Sequence, residues 1–192
     1  AESCRTPTIE RKETNQMPTF FSDHFSSDGS NQSTVDTQKR ASAGISHGRL
    51  RYKRASIDTV DTANADEVRF CQFKSSDRII EIFVTGDGTP SAGTMDIGLY
   101  KSGTAHDGAV IDDDLFASAL AIDSAIARVD EFAEATTLGN LDRGKTLWEL
   151  ATVGAASYTS DPMEDWDLVG TTDTGTTGNL AMTVEVIYTS GD

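Results

Sequence analysis

The stretch LAMTVEVIYTS (180–190) alternates without a break, with Leu180, Met182, Val184, Val186 and Tyr188 on one side and Ala181, Thr183, Glu185, Ile187 and Thr189 on the other. A period of two held over this length in β-branched and aromatic residues reads as a strand with one face on a core. Working outward, TMDIGLYK (94–101) sets Met95, Ile97 and Leu99 against Asp96, Gly98 and Tyr100. RIIEIFVTG (78–86) is nearly continuous in β-branched and aromatic residues, as a central strand buried on both faces would be. EVRFCQFK (67–74) and DWDLVGTT (165–172) read as further strands, and GDGTPSAG (86–93) as a loop. RLRYKRASIDTV (49–60) places Leu50 and Tyr52 on one face and Arg49, Arg51 and Lys53 on the other.

One stretch departs from this pattern. Leu115, Ala119, Ile122, Ile126, Val129 and Ala133 recur at helical spacing, and Asp112, Asp113 and Asp114 just before them suit a helix N-terminus and its dipole. About seven strands, Gly- and Thr-rich turns and one helical insertion predict a mainly β domain, an antiparallel β-sandwich of jelly-roll-like type. The strand and helix alternation that a parallel sheet requires is absent.

Before this body, residues 1–47 are rich in Ser, Thr, Asn, Gln and Asp, and their apolar cluster is Phe20, Phe21 and Phe25. Such a segment has too little apolar surface to offset its own ordering entropy. The sequence predicts an extended N-terminal arm (1–47) joined to a β-sandwich body (48–192). A disordered tail and an anchor that docks on another surface both fit the arm. The anchor reading assigns partner binding to Phe20, Phe21 and Phe25 as one hydrophobic group and to Lys39, Arg40, Arg49 and Arg51 in a basic hinge.

The 192 residues carry 16 Lys and Arg against 31 Asp and Glu, a net charge of −15. The excess lies in the body, since residues 1–54 hold nine basic and six acidic side chains and the remainder holds seven and twenty-five. Nucleic-acid affinity comes largely from Lys and Arg displacing counterions, so this body is expected to bind none. The longest apolar run, Ile79 to Val84 broken by Glu81, is far short of the ~20 residues that cross a bilayer, and the charged first twenty residues lack an export signal's apolar stretch. No membrane association is expected. Cys4 and Cys71 lie in different contexts and read as a surface thiol and a small core residue.

Several motifs resemble chemistry. GNLDRGKT (139–146) matches the phosphate-loop pattern GxxxxGK[ST], in which Lys145 would reach phosphates and Thr146 would hold magnesium. That loop must follow a buried parallel strand, whereas EFAEATTL precedes it here, so it is read as a surface turn entering a β segment, LWELATV. GISHG (44–48) matches the nucleophile-elbow pattern GxSxG but lacks the strand before and helix after, so neither Ser46 nor His47 is assigned a catalytic role. His24, His47 and His106 share no zinc-ligand spacing. The acidic groups Asp112–Asp114 and Asp161, Glu164, Asp165 and Asp167 lack the alternating spacing of a calcium loop. No catalytic residue, cofactor or metal is expected. Trp148, Trp166, Tyr158 and Tyr188 could form a sugar-binding platform, but both tryptophans sit in apolar patterns that favour core packing.

Three stretches of the body, DEVRFCQF with RIIEIFVTGDGTPSAGTMDIGLYKSG (66–103), IDDDLFASA (111–119) and GKTLWELATVGAASYTSDPMEDWDLVGTTDTGTTGNLAMTVEVIY (144–188), resemble a group of virion structural proteins of tailed bacteriophages. Trp166 stands where the ending of that group carries tyrosine, and 120–138 is longer and more helical in character. The resemblance implies a non-enzymatic virion component, a head decoration or cement protein on the outside of the capsid. Its partner would be the major capsid protein, its state a homo-oligomer, and its site of synthesis the host cytoplasm. A head-fibre base or tail-associated adaptor would use the same sandwich, and a carbohydrate-binding module is the alternative from another class.

Overall fold

The computed structural model describes residues 50–60, 62–88, 92–154, 156–176 and 178–191, together with the backbone of 19–21. Among the described residues nine strands form: β1 (Thr19–Phe21), β2 (Leu50–Val60), β3 (Glu67–Lys74), β4 (Arg78–Gly86), β5 (Thr94–Lys101), β6 (Val110–Ala121), β7 (Ile126–Asp130), β8 (Asp165–Thr174) and β9 (Leu180–Thr189). They make a sheet in the order β1-β3-β8-β5-β6 and a second in the order β2-β9-β4-β7.

Setting β1 aside, the pairing is nested. β2 pairs with β9, β3 with β8, β4 with β7 and β5 with β6, all antiparallel. First meets last and each inner pair lies inside the one before, with successive pairs falling in alternate sheets. This is one long hairpin rolled up on itself, the jelly roll. β4 is an interior strand of its sheet, as the density of β-branched residues in it predicts, but it is buried on one face only, through Ile79, Ile82 and Val84; β9 lies beside it, also interior.

β9 shows the expected alternation in full, with Leu180, Met182, Val184, Val186 and Tyr188 buried and the residues between them half-exposed. These side chains meet those of the other sheet, among them Phe70, Phe73, Ile97, Leu99, Trp166 and Leu168, in a continuous core. The Phe73 and Tyr188 rings join the sheets edge to face, 5.1 Å apart at 85°. Each large apolar side chain buried in this way contributes about 1.5–3 kcal/mol.

The helix lies elsewhere than the apolar spacing predicted. Residues from Leu115 to Val129 belong to β6, a turn and β7, and the helix is α1 (Leu147–Val153), in the segment read as a strand. The cause of the first error is bulging. The step from Ile97 to Leu99 on β5 faces the longer step from Ala117 to Asp112 on β6, and the register shifts again on either side. Extra residues move the inward phase, so that Leu115, Phe116 and Ala117 are buried in succession and the apolar spacing imitates a helix. Ala119 and Arg128 at φ 54° and 49° bend the chain further.

α1 starts at Thr146, whose backbone N–H and hydroxyl both donate to Glu149 at 2.8 and 2.7 Å, and it buries Leu147, Leu150 and Ala151. No described helix is long and apolar enough to cross a membrane.

The β6 bulge passes directly over Gly98. A β-carbon there would lie inside the contact distance of the Asp112 carbonyl oxygen and the Asp113 carbonyl carbon, both backbone atoms. Gly98→Ala is therefore expected to destabilise the fold by about 3 kcal/mol, read as a lowered urea midpoint, because the β6 backbone must move rather than a side chain.

Candidate partner-binding surface

Of the residues predicted to bind a partner, Phe20 and Phe21 fall in β1. This strand adds in parallel to the outer edge of β3, with Phe20 opposite Val68 and Phe21 opposite Arg69. Phe25, Lys39, Arg40 and Arg49 lie outside the described residues, as do Ser46, His47, His24 and Cys4.

Arg51 lies in β2, where the faces are inverted relative to the usual sense. Leu50 and Tyr52 point outward, 66% and 55% exposed, while Arg51 and Lys53 are half-buried. The Lys53 ammonium sits 4.3 Å from the Phe73 ring centre and 5.2 Å from that of Tyr188 and donates to the Gln72 carbonyl. Burial lowers its pKa from the ordinary lysine value. Arg51 hydrogen-bonds Tyr188.

Outside, Tyr52 donates to Glu185 at 2.6 Å, Arg128 donates to the other oxygen at 2.8 Å, and the Arg128 guanidinium lies 3.8 Å from the Phe83 ring centre. The Tyr52 and Arg128 donors hold the Glu185 carboxyl below the ordinary carboxylate range. This face of β2, β9, β4 and β7 is thus a mixed aromatic and ionic surface.

The opposite sheet carries a group that the sequence reading missed. Arg69 on β3 is 1% exposed and Asp167 on β8 is fully buried, joined at 3.0 Å. Arg69 also pairs with Glu67 at 2.8 Å and donates to the carbonyls of Gly108 at 3.1 Å and Lys101 at 3.3 Å. Asp167 accepts Ser102 Oγ at 2.6 Å and meets His106 Nδ1 at 3.0 Å. Tyr100 lies beside Arg69, its phenol pushed up to about 12 by burial. Opposite charges inside the apolar strands EVRFCQF and DWDLVG were the available signal.

Serine, histidine and aspartate meet here in the wrong order for a hydrolase. A catalytic histidine stands between serine and carboxylate so that it can take the serine proton. Here Asp167 stands between them and Ser102 donates to it, so this serine is held as a donor and is not activated. The group fastens the loop after β5 to the sheet.

The remaining motifs resolve into local structure. A turn of 3-10 helix, Asn140–Asp142, occupies the middle of GNLDRGKT. Lys145 pairs with Asp142 at 2.7 Å and Thr146 caps α1, while irregular chain, not a strand, precedes Gly139. The motif enters a helix rather than the expected β segment, but the sheet geometry of a phosphate loop is missing. Titration with magnesium and ATP is expected to give no binding heat, and Lys145→Ala is expected to cost under about 1 kcal/mol, as loss of a surface ion pair does.

Asp112, Asp113 and Asp114 lie in β6 instead of capping a helix, and their carboxylates come within 4.8 Å of one another. Asp161, Glu164, Asp165 and Asp167 are dispersed: Asp161 accepts from Ser75, Glu164 from Lys101, and Asp167 from the buried arginine. Trp166 and Tyr188 are buried, and Tyr158 and Trp148 pack against the core, so the four aromatics do not make an exposed platform. Cys71 is a buried core residue outside any disulfide.

The architecture is that of a jelly roll with an added edge strand, a class that includes viral capsid and lectin domains. No known family model matches the chain, and no curated protein matches it. Among solved structures it is similar to a chain of the "Capsid of Ralstonia phage GP4", with 12% identity and a TM-score of 0.60 over 91% of this chain and 99% of that one. It is also similar, at 12% identity and a TM-score of 0.43, to a chain of the "Cyanophage Pam1 capsid asymmetric unit", over 81% of this chain and 96% of that one. At 12% identity the first likeness is one of fold.

Proposed function

We propose that this chain is a non-enzymatic structural protein of a tailed-phage virion, and that it binds the outside of the head as a decoration or cement protein. The observation that carries the reading is the nested eight-stranded roll, whose likeness to a phage capsid chain extends over nearly the whole of both chains. The inverted Ser102, Asp167 and His106 order supports a structural rather than a hydrolytic role. A net charge of −15 favours the outer surface over contact with packaged DNA. β1 on the edge of β3 supports an arm that attaches by strand addition. On this reading the partner is the major capsid protein, and copies sit together on the shell.

The test uses heads assembled without the protein. Added protein is expected to co-sediment with them saturably and to raise the temperature at which DNA is released. Binding to isolated tails, or no binding to heads, would overturn the reading.

A further inference from the structure

A cleft of about 360 Å³ opens where β7 ends and the chain turns toward α1. Its acidic residues are Asp130, Glu131 and Glu134, its cation is Arg143, and Val129 and Leu138 give it apolar wall. Glu131 is only 3% exposed, and its backbone N–H is taken by the Ile82 carbonyl at 2.7 Å. Among the described residues, no donor and no cation pairs with its carboxylate, and burial with the negative charges of Glu134 and Asp130 pushes its pKa up.

The other charged groups are committed. Arg143 donates to Asp130 at 2.6 Å, to the Ile80 carbonyl at 2.6 Å and to Asn140 at 3.2 Å. Glu134 accepts the Ser118 N–H at 2.8 Å. Glu131 alone of these four lines the cavity without a protein partner, among the described residues, to offset its desolvation.

The lining decides what could offset it. Calcium and magnesium ions need several oxygens converging on one point. Among the described residues the acidic group within 4.8 Å of one another is Asp112–Asp114, not the acids of this cleft. A space of about 360 Å³ with apolar wall suits a longer group, an apolar stem ending in a cation. Beside it, between Asn140 and Arg143, Leu141 is 96% exposed.

We propose that this cleft is a docking site for an arginine or lysine side chain of a partner polypeptide, with Glu131 receiving the cationic head and Leu141 the apolar residue next to it. The inference does not depend on the virion reading.

The experiment is an NMR titration of the isotopically labelled full chain with acetyl-Leu-Arg-amide, with acetyl-Leu-Ala-amide and with calcium chloride alone. The arginine peptide is expected to shift the amides of 129–143 saturably and the alanine peptide to leave them still. Glu131→Gln is expected to weaken binding about tenfold or more. Leu141→Ser alters an exposed side chain, so the fold is retained, and it is expected to weaken the dipeptide several-fold while leaving argininamide unaffected. Saturation by calcium without response to the arginine peptide, equal binding of both peptides, or no response to any probe would each overturn the proposal.

Discussion

Deleting residues 1–47 is expected to lower attachment to heads by about a hundredfold or more while leaving the body folded. Among the described residues, the continuous apolar cluster runs from Ala55 to Tyr188. What the deletion removes from the described structure is β1, three residues on the edge of β3. A few backbone hydrogen bonds at about 0.5–1.5 kcal/mol each are nearly matched by about 1–2 kcal/mol of ordering entropy per residue. The melting temperature should therefore scarcely move.

Attachment is different, because on the proposed reading Phe20, Phe21 and Phe25 bury their rings on the shell, and clustered aromatic anchors dominate such interfaces. Replacing the three by serine should reproduce most of the loss. Changing Lys39 and Arg40 should mainly alter its salt dependence, as peripheral charges do. If the truncated body decorates heads as well as the full chain, attachment belongs to the sandwich, and the face carrying Leu50, Tyr52 and Glu185 becomes the place to mutate.

How much of this was legible in the sequence follows from how local the cause is. The spans 78–86 and 94–101 coincide with β4 and β5, and β9 ends one residue short of the predicted run, because alternation against a core is written residue by residue. The pairing of β2 with β9 is a tertiary fact, and no period in the chain encodes it. β6 was misread because its bulges are set by what crosses Gly98. α1 carried a readable sign, Thr146 three residues before Glu149, the spacing of a capping box. Its seven residues, with β-branched Thr152 and Val153 at the end, nonetheless resemble a short strand. Glu131 gave no sign at all, since its burial comes from the path of the chain around it.

The largest stability effect is expected at the Arg69 and Asp167 pair. Asp167→Ala should destabilise the body by about 3–5 kcal/mol, the range for breaking a buried ion pair by removing one partner. The loss is not the attraction alone. Arg69, 1% exposed, would keep its charge without the carboxylate that balances it, with Glu67 as its remaining anion, and Ser102 and His106 would lose their common acceptor. Because those two residues and Gly108 lie in the loop after β5, the same change should open residues 102–109 to proteolysis before the sheets separate. Salt should change the effect little, since a pair this buried is poorly screened. Arg69→Met with Asp167→Leu should recover most of the stability, because apolar side chains of similar volume carry no desolvation penalty. Recovery of stability without recovery of protease resistance would separate the two roles, since the apolar pair can fill the space but cannot hold Ser102 and His106. Urea unfolding of the single and double variants measures the coupling directly. A loss below about 1 kcal/mol for Asp167→Ala would mean that water reaches Arg69 as soon as the carboxylate leaves. The loop would then be held by its backbone contacts instead of by the charge beneath it.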